Sequence, residues 1–384
     1  MKIITDQWRA VLIALLLTAC SEGPDPKNGS GVSLHTELGG DATGYERACG
    51  PRAFSFPQDH GAHPAFRNEW WYVTGNLEGA AESRFGFHAT FFRIANKQTL
   101  SAVAAGNAIT SQWASDEFYM AHFAIADAAS QKVKAHERFA RSAAGLAGAE
   151  INTGQNKVRV WLDDWQLIAK EHDDRLQWQL QISDGAEAID LTLVASKPAV
   201  LQGKEGYSQK SADPCNSSFY YSSSRLQANG EIQSAGVTHN VTGTAWLDRE
   251  WSSSALADNQ VGWDWFALQL DDGRDIMLYQ LRNADGSIDP FSYAVEIDQN
   301  GNKTVLPNAA IDIEVDQWWQ SESGARYPVS GEIRRSDTNE VIRYQPLIND
   351  QELDLTVRYW EGAIVLRDAQ DQAIGRGYLE LTGY

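Results

Sequence analysis

Residues 176–182 read LQWQLQI, so that Leu176, Trp178, Leu180 and Ile182 alternate without a break with Gln177, Gln179 and Gln181. A repeat of two puts the apolar side chains on one face of an extended chain and the amides on the other, as in a strand with one buried face. The pattern continues beyond Asp184-Gly185, a hairpin turn signal, where Ile189, Leu191 and Leu193 alternate with Asp190 and Thr192. Phe85, Phe87, Ala89 and Phe91 likewise share a face, with His88 and Thr90 opposite. Further strand-like runs are 69–77, 158–170, 219–226, 263–270, 276–281, 293–297 and 352–359. Turn signals stand at Asn229-Gly230, Asp272-Gly273, Asp285-Gly286 and Asn300-Gly301. Helical periodicity is almost absent, so the fold class is all-β, a sandwich or barrel rather than a βαβ fold.

The halves are loosely alike. Each has a Trp-rich opening strand, EWWYVTGNLEG from Glu69 and REWSSS from Arg249. A boundary near 234–236 predicts two domains, 45–235 and 236–384, each long enough to bury its own core.

The amino-terminal residues read as export. Lys2 and Arg9 precede an apolar run, 10–19, that is too short for a membrane span and has the length of a signal-peptide core. It ends in Leu17-Thr18-Ala19-Cys20, a bacterial lipoprotein cleavage pattern: a small residue before the cut and a thiol after it to carry the lipid. This predicts a signal peptide over 1–19, lipidation at Cys20 and a Gly- and Pro-rich tether over 20–44. Ser21 after the cysteine favours the outer membrane, facing the periplasm. The formal charge of −19 becomes about −20 when Lys2, Arg9 and Asp6 are removed with the signal. Such a surface argues against nucleic-acid binding and against electrostatic docking on anionic lipid, which leaves the lipid anchor as the membrane link. Cys49 and Cys215 remain, either as a disulfide in an oxidising compartment or as two buried thiols.

Four segments carry unusual polar residues among aromatics. In 56–77, His60, His63 and Glu69 have the residue types of a metal site, but Gly61 and Pro64 exclude a helix and no third His or Cys lies nearby. The expectation there is no metal and a loop pinned by Arg67–Glu69 or a His–carboxylate contact. In 244–251, TAWLDREW, a strand sends Trp246, Asp248 and Glu250 to one face and Leu247, Arg249 and Trp251 to the other. Adjacent carboxylates resist joint ionisation, which raises one pKa as a general acid requires; the alternative is an ion-pair network around Arg249. In 262–272, GWDWFALQLDD, Asp264 shares its face with Phe266, Leu268 and Leu270, and Trp263 and Trp265 share the other with Gln269. A carboxylate on an apolar face is paired or protonated, so Asp264 is either a perturbed acid or the partner of an arginine such as Arg282. The last group is Tyr279, Gln280 and Arg282 with the carboxy-terminal YWEG (359–362) and GYLELTGY (377–384), which read as barrel-closing strands.

The blocks PQDHGAHPAFRNEWWYVTGNL, AWLDREW, GWDWFALQLDDG, MLYQLR, YWEGA and GRGYLELTGY resemble the bacterial family of carotenoid 1,2-hydratase (CrtC) and the lipocalin-like AttH proteins, from about residue 56 to 384. The resemblance implies two consecutive lipocalin-like β-domains with the ligand region between or inside them. It also implies, for the hydratase branch, water addition to a trisubstituted alkene without a redox cofactor. An acid would protonate the alkene, aromatic faces would stabilise the cation and water would capture it. Asp264 or Asp248 supplies the acid type, and Glu250 is a further carboxylate. Trp246, Trp263, Trp265 and Tyr279 supply the aromatic surround, and His239 is placed to orient acid or water. Trp70, Trp71, Gln280 and Arg282 complete the candidate ligand residues.

Two functions follow from these readings. The leading one is an exported lipoprotein that binds a hydrophobic small molecule, a lipid or isoprenoid, with an ABC transporter as the partner the AttH branch implies. The alternative is a cofactor-free hydratase, isomerase or hydrolase. An enzyme needs Asp248, Glu250 or Asp264 exposed to the cavity beside aromatic faces, whereas a carrier needs its charged groups paired away from the ligand.

Overall fold

The computed structural model describes residues 42–95, 115–172, 175–254 and 256–384. The signal segment, Cys20 and nearly all of the tether lie outside the described residues. Among those described, the regular structure is antiparallel strand with three short 3-10 turns.

The first sheet begins with a meander of β1 (Asn68–Glu78), β2 (Arg84–Ala95), β3 (Glu117–Asp127) and β4 (Lys132–Arg141). A second meander follows: β5 (Ala147–Asn152), β6 (Lys157–Leu162), β7 (Trp165–His172), β8 (Arg175–Asp184) and β9 (Glu187–Ala195). Two short strands, β10 (Val200–Leu201) and β11 (Tyr207–Gln209), lie against the long β12 (Ser217–Ser234), which turns into β13 (Val237–Ser252). That hairpin joins the meanders, in the order β4-β3-β2-β1-β13-β12-β9-β8-β7-β6-β5. The sheet curls until β6 comes against β2, β3 and β4, and its concave face holds one apolar core. That core contains Phe85, Phe87, Ala89 and Phe91 together with Trp178, Leu180, Ile182, Ile189, Leu191 and Leu193, the faces their alternation assigns.

The second sheet comprises β14 (Gln260–Leu270), β15 (Asp275–Asn283), β16 (Tyr293–Ile297), β17 (Lys303–Leu306) and β18 (Ile311–Gln320). It continues through β19 (Arg326–Arg335), β20 (Glu340–Pro346), β21 (Glu352–Asp354), β22 (Arg358–Arg367) and β23 (Ala373–Thr382). In each sheet the last strand pairs with the first, β13 with β1 and β23 with β14. The concave face of this sheet has its own core around Phe266, Leu268, Tyr344, Trp360 and Leu379. These are the two lipocalin-like β units that the resemblance implies.

Residues 234–236, the expected boundary, are instead the turn of the β12–β13 hairpin. Ser234 pairs with Val237, and Ala235 and Gly236 both have positive φ, the backbone that a tight two-residue turn requires. The chain passes to the second sheet between Ser252 and Gln260. REWSSS is therefore the end of the first sheet, with Arg249 paired to Trp71, and not the start of a second copy. Asn229-Gly230 is no turn either. It lies inside β12, where any side chain at residue 230 would strike the Asp190 carbonyl.

The outer faces of the two sheets pack on each other through Tyr72, Tyr220, Trp246, Trp265, Met277, Tyr279 and Tyr378. Polar bolts fix this contact. Asp275 receives Lys197 Nζ at 2.6 Å and Arg225 Nη2 at 2.6 Å, and Gln269 donates to the carbonyls of Ser224 and Ala245. A further group closes one end of the first sheet. Burial alone would raise the pKa of Glu69, but Arg93, His63 and Arg249 reverse that and hold it well below the carboxylate range. His63 also bonds Asp59 at 3.1 Å, so the loop before β1 is pinned by His–carboxylate contacts. Cys49 and Cys215 form a disulfide that ties the chain before this loop to the segment before β12.

Candidate active site

Register decides which side chains meet between the sheets. Across the first sheet, Ser222, Asp248, Tyr72, Thr90, His122 and Glu137 are successive cross-strand partners on β12, β13, β1, β2, β3 and β4. Directly paired residues send their side chains to the same face, so these form one polar row on the outer face. The second sheet answers with Glu361, Glu380, Trp265, Tyr279 and Tyr293 on β22, β23, β14, β15 and β16. Between the rows lies a partly open cleft of about 1050 Å³, its mouth included. Trp70, Phe92, Trp263 and Leu281 line it with most of those residues, and Lys210, Ser218 and Ser252 stand toward one end.

Asp248 is 4% exposed and has three donors around its two oxygens. Tyr220 OH donates to Oδ2 at 2.5 Å, and Ser222 Oγ and Trp246 Nε1 donate to Oδ1 at 2.5 and 2.7 Å. Burial pushes its pKa up to about 7 in spite of those hydrogen bonds, with Glu250 adding repulsion. Trp265 Nε1 in turn donates to Tyr220 OH at 3.2 Å, so two indoles and a phenol fix the acid in place. Glu250 is bonded by Ser218 and lies 3.4 Å from Lys210 Nζ, itself 4.3 Å above the Tyr279 ring.

Two more carboxyl groups enter from the second sheet. Burial raises Glu361 well above the usual range, and Tyr72 OH donates to its Oε2 at 3.1 Å. Burial also raises Glu380, with neighbouring Glu361 adding to the effect, and Trp263 Nε1 donates to it at 3.0 Å. His88 is held neutral by burial, its pKa lowered to about 3. At neutral pH the cleft thus offers protonated carboxyls and a neutral imidazole among aromatic faces. Such a site donates protons and stabilises transient positive charge.

Among the sequence candidates, Trp70, Asp248, Glu250, Trp263, Trp265 and Tyr279 line the cleft, and Trp246 holds Asp248. Asp264 does not. It faces the second sheet's own core, with Arg282 Nε at 3.0 Å and Tyr384 OH at 2.9 Å, the arginine pairing its apolar face demands. Gln280 and Arg282 share that face, because their neighbours Tyr279 and Leu281 take the cleft side. Trp71 points into the first sheet, beneath the Arg249 guanidinium at 3.9 Å, with Nε1 on the His60 carbonyl. His239 lies near the far end of β13 against Phe85. Alternation alone missed Tyr72, His88, Tyr220, Glu361 and Glu380. The signal was there for the glutamates: Tyr359-x-Glu361 and Tyr378-x-Glu380 set an acid and a phenol on one face of strands whose other face is apolar.

Residues 47–384 match the model of the family described as AttH-like. A structure described as AttH from Nitrosomonas europaea is 36% identical, with 88% of this chain and 99% of that one covered and a TM-score of 0.75. Kievitone hydratase from Nectria haematococca is similar in fold, with a TM-score of 0.58 at 14% identity over 88% of this chain and 95% of that one. CghA, solved with Sch210972, gives 0.50 at 8% identity over 89% and 97%. No curated protein matches the chain.

Proposed function

The chain belongs to the AttH-like family, and from that premise we propose that it is an envelope lipoprotein, held through Cys20, that adds water to an alkene of an apolar isoprenoid-type substrate. The observation that carries this reading is Asp248, a buried carboxyl with a pKa near 7, lining a cleft walled by Trp and Tyr. Protonated Asp248 gives its proton to one alkene carbon, and the other becomes a tertiary cation. The faces of Trp265, Trp263 and Tyr72 stabilise that cation, and water adds to it and loses a proton. Alkene and water become an alcohol with no net redox change, so the chemistry uses no redox cofactor. The likeness in fold to a hydratase supports the reading, and the Cys49–Cys215 bond suits an oxidising compartment.

The carrier reading rests on the same apolar lining, with an ABC transporter as its partner. Binding and turnover separate the two. The anchor-free protein is offered neutral polyprenyl alkenes, with binding read from Trp fluorescence and products from mass spectrometry. Hydration predicts a product one water heavier, lost in Asp248→Asn while binding persists. Tight binding without product in either protein makes the chain a carrier.

A further inference from the structure

Two residues that line the cleft, His88 and Glu361, each carry a buried polar atom with no hydrogen-bond partner among the described residues, Nδ1 and Oε1, and so does Thr74 at Oγ1, next to His88 in register. Thr74 and His88 are direct cross-strand partners, so both leave the same face of the first sheet. Glu361 arrives from the opposite sheet, with Oε1 3.2 Å from His88 Nδ1. The other end of each group is taken. His88 Nε2 bonds Thr90 Oγ1 at 2.8 Å, and Glu361 Oε2 accepts from Tyr72 OH. All three residues are at most 2% exposed. Buried donors and acceptors normally find partners, and the two at the cavity wall, with Thr74 beside them in register, answer to a small polar molecule that the cavity receives.

We propose that Thr74, His88 and Glu361 seat the water that adds to the substrate cation, and that His88 Nδ1 is the base that takes its proton. This rests on the hydration reading. Glu361, kept protonated, donates to the water oxygen, and the water donates to His88 Nδ1, the unprotonated nitrogen of the tautomer whose Nε2–H donates to Thr90 Oγ1. As the C–O bond forms, the departing O–H proton moves to His88. Passed on to the Asp248 carboxylate, it restores the acid spent on the alkene carbon. Tyr72 stands between the two centres, paired in register with Asp248 and hydrogen-bonded to Glu361.

The test compares wild type with His88→Phe and the near-isosteric Thr74→Val on farnesol in D₂O. Protonation puts deuterium on carbon whether the cation is then captured by water or collapses back to alkene. Loss of the water seat therefore lowers the ratio of alcohol to deuterium-exchanged alkene without stopping exchange. We expect that ratio to fall by about a hundredfold in His88→Phe, the range of general-base contributions, and by less in Thr74→Val. A ratio unchanged in both variants overturns the assignment and leaves hydration standing. Wild type that neither exchanges nor hydrates overturns the hydration reading, and the assignment with it.

Discussion

Replacing Asp248 by Asn removes one ionisable group from the cleft and leaves its shape. In the folded protein Asp248 titrates near 7, whereas an unfolded aspartate titrates near 3.8. The folded state therefore binds more protons between those values. For an acid whose pKa is raised on folding, this means that stability is lost as pH rises through the window. About three pKa units at 1.36 kcal/mol each amount to roughly 4 kcal/mol of destabilisation, absent near pH 4 and nearly full near pH 8. Asn cannot ionise and escapes that penalty. It also supplies one oxygen where three donors meet two, a loss of about 1 kcal/mol at any pH. The variant should be slightly less stable than wild type near pH 4 and more stable by roughly 3 kcal/mol near pH 8. Urea unfolding followed by Trp fluorescence across that range measures the difference, and the other titrating groups largely cancel in it. A difference that stays flat from pH 4 to pH 8 would refute the reasoning, because Asp248 would then titrate as it does in the unfolded chain.

Other outcomes follow from the same structure. Glu69→Gln leaves the Arg93 and Arg249 guanidiniums without their shared buried carboxylate and should cost about 3–5 kcal/mol in urea unfolding; a loss below 1 kcal/mol would contradict the buried network. Asp264→Asn should leave turnover unchanged and cost about 1–3 kcal/mol through Arg282 and Tyr384. A collapse of turnover at full stability would return Asp264 to the catalytic centre. Converting Cys49 and Cys215 together to Ser opens a 166-residue loop and should lower stability by about 3–5 kcal/mol, read as an earlier urea midpoint.

Much of this fold is legible in period-two alternation, because the sheet faces repeat the sequence strictly. The faces read from sequence for Phe85–Phe91, for Trp246, Asp248 and Glu250, and for Asp264 are the faces observed. Alternation cannot say what lies across from a face. Asp264 was correctly set beside Phe266, yet that face meets a core and the Arg282 fork rather than a ligand space. His88 and Thr90 were set opposite the phenylalanines, and only the register with Tyr72 and Asp248 makes that face part of a site. The acids on β22 and β23 reach the cleft by sheet-on-sheet packing, across more than a hundred residues of intervening chain, a distance at which local pattern carries no information. The misplaced boundary has a local cause. A tight turn at Ala235-Gly236 and a linker share the same small, flexible residues, and only the pairing of Ser234 with Val237 tells them apart.

The most direct test of Asp248 as the acid is the pH dependence of alkene turnover by the wild-type protein. Activity should hold below pH 7 and fall about tenfold for each pH unit above it, as the carboxyl near pKa 7 gives up the proton it must donate. A rate that stays level or rises through pH 7 would contradict the assignment, and alkene returned unchanged at every pH would contradict the enzyme itself.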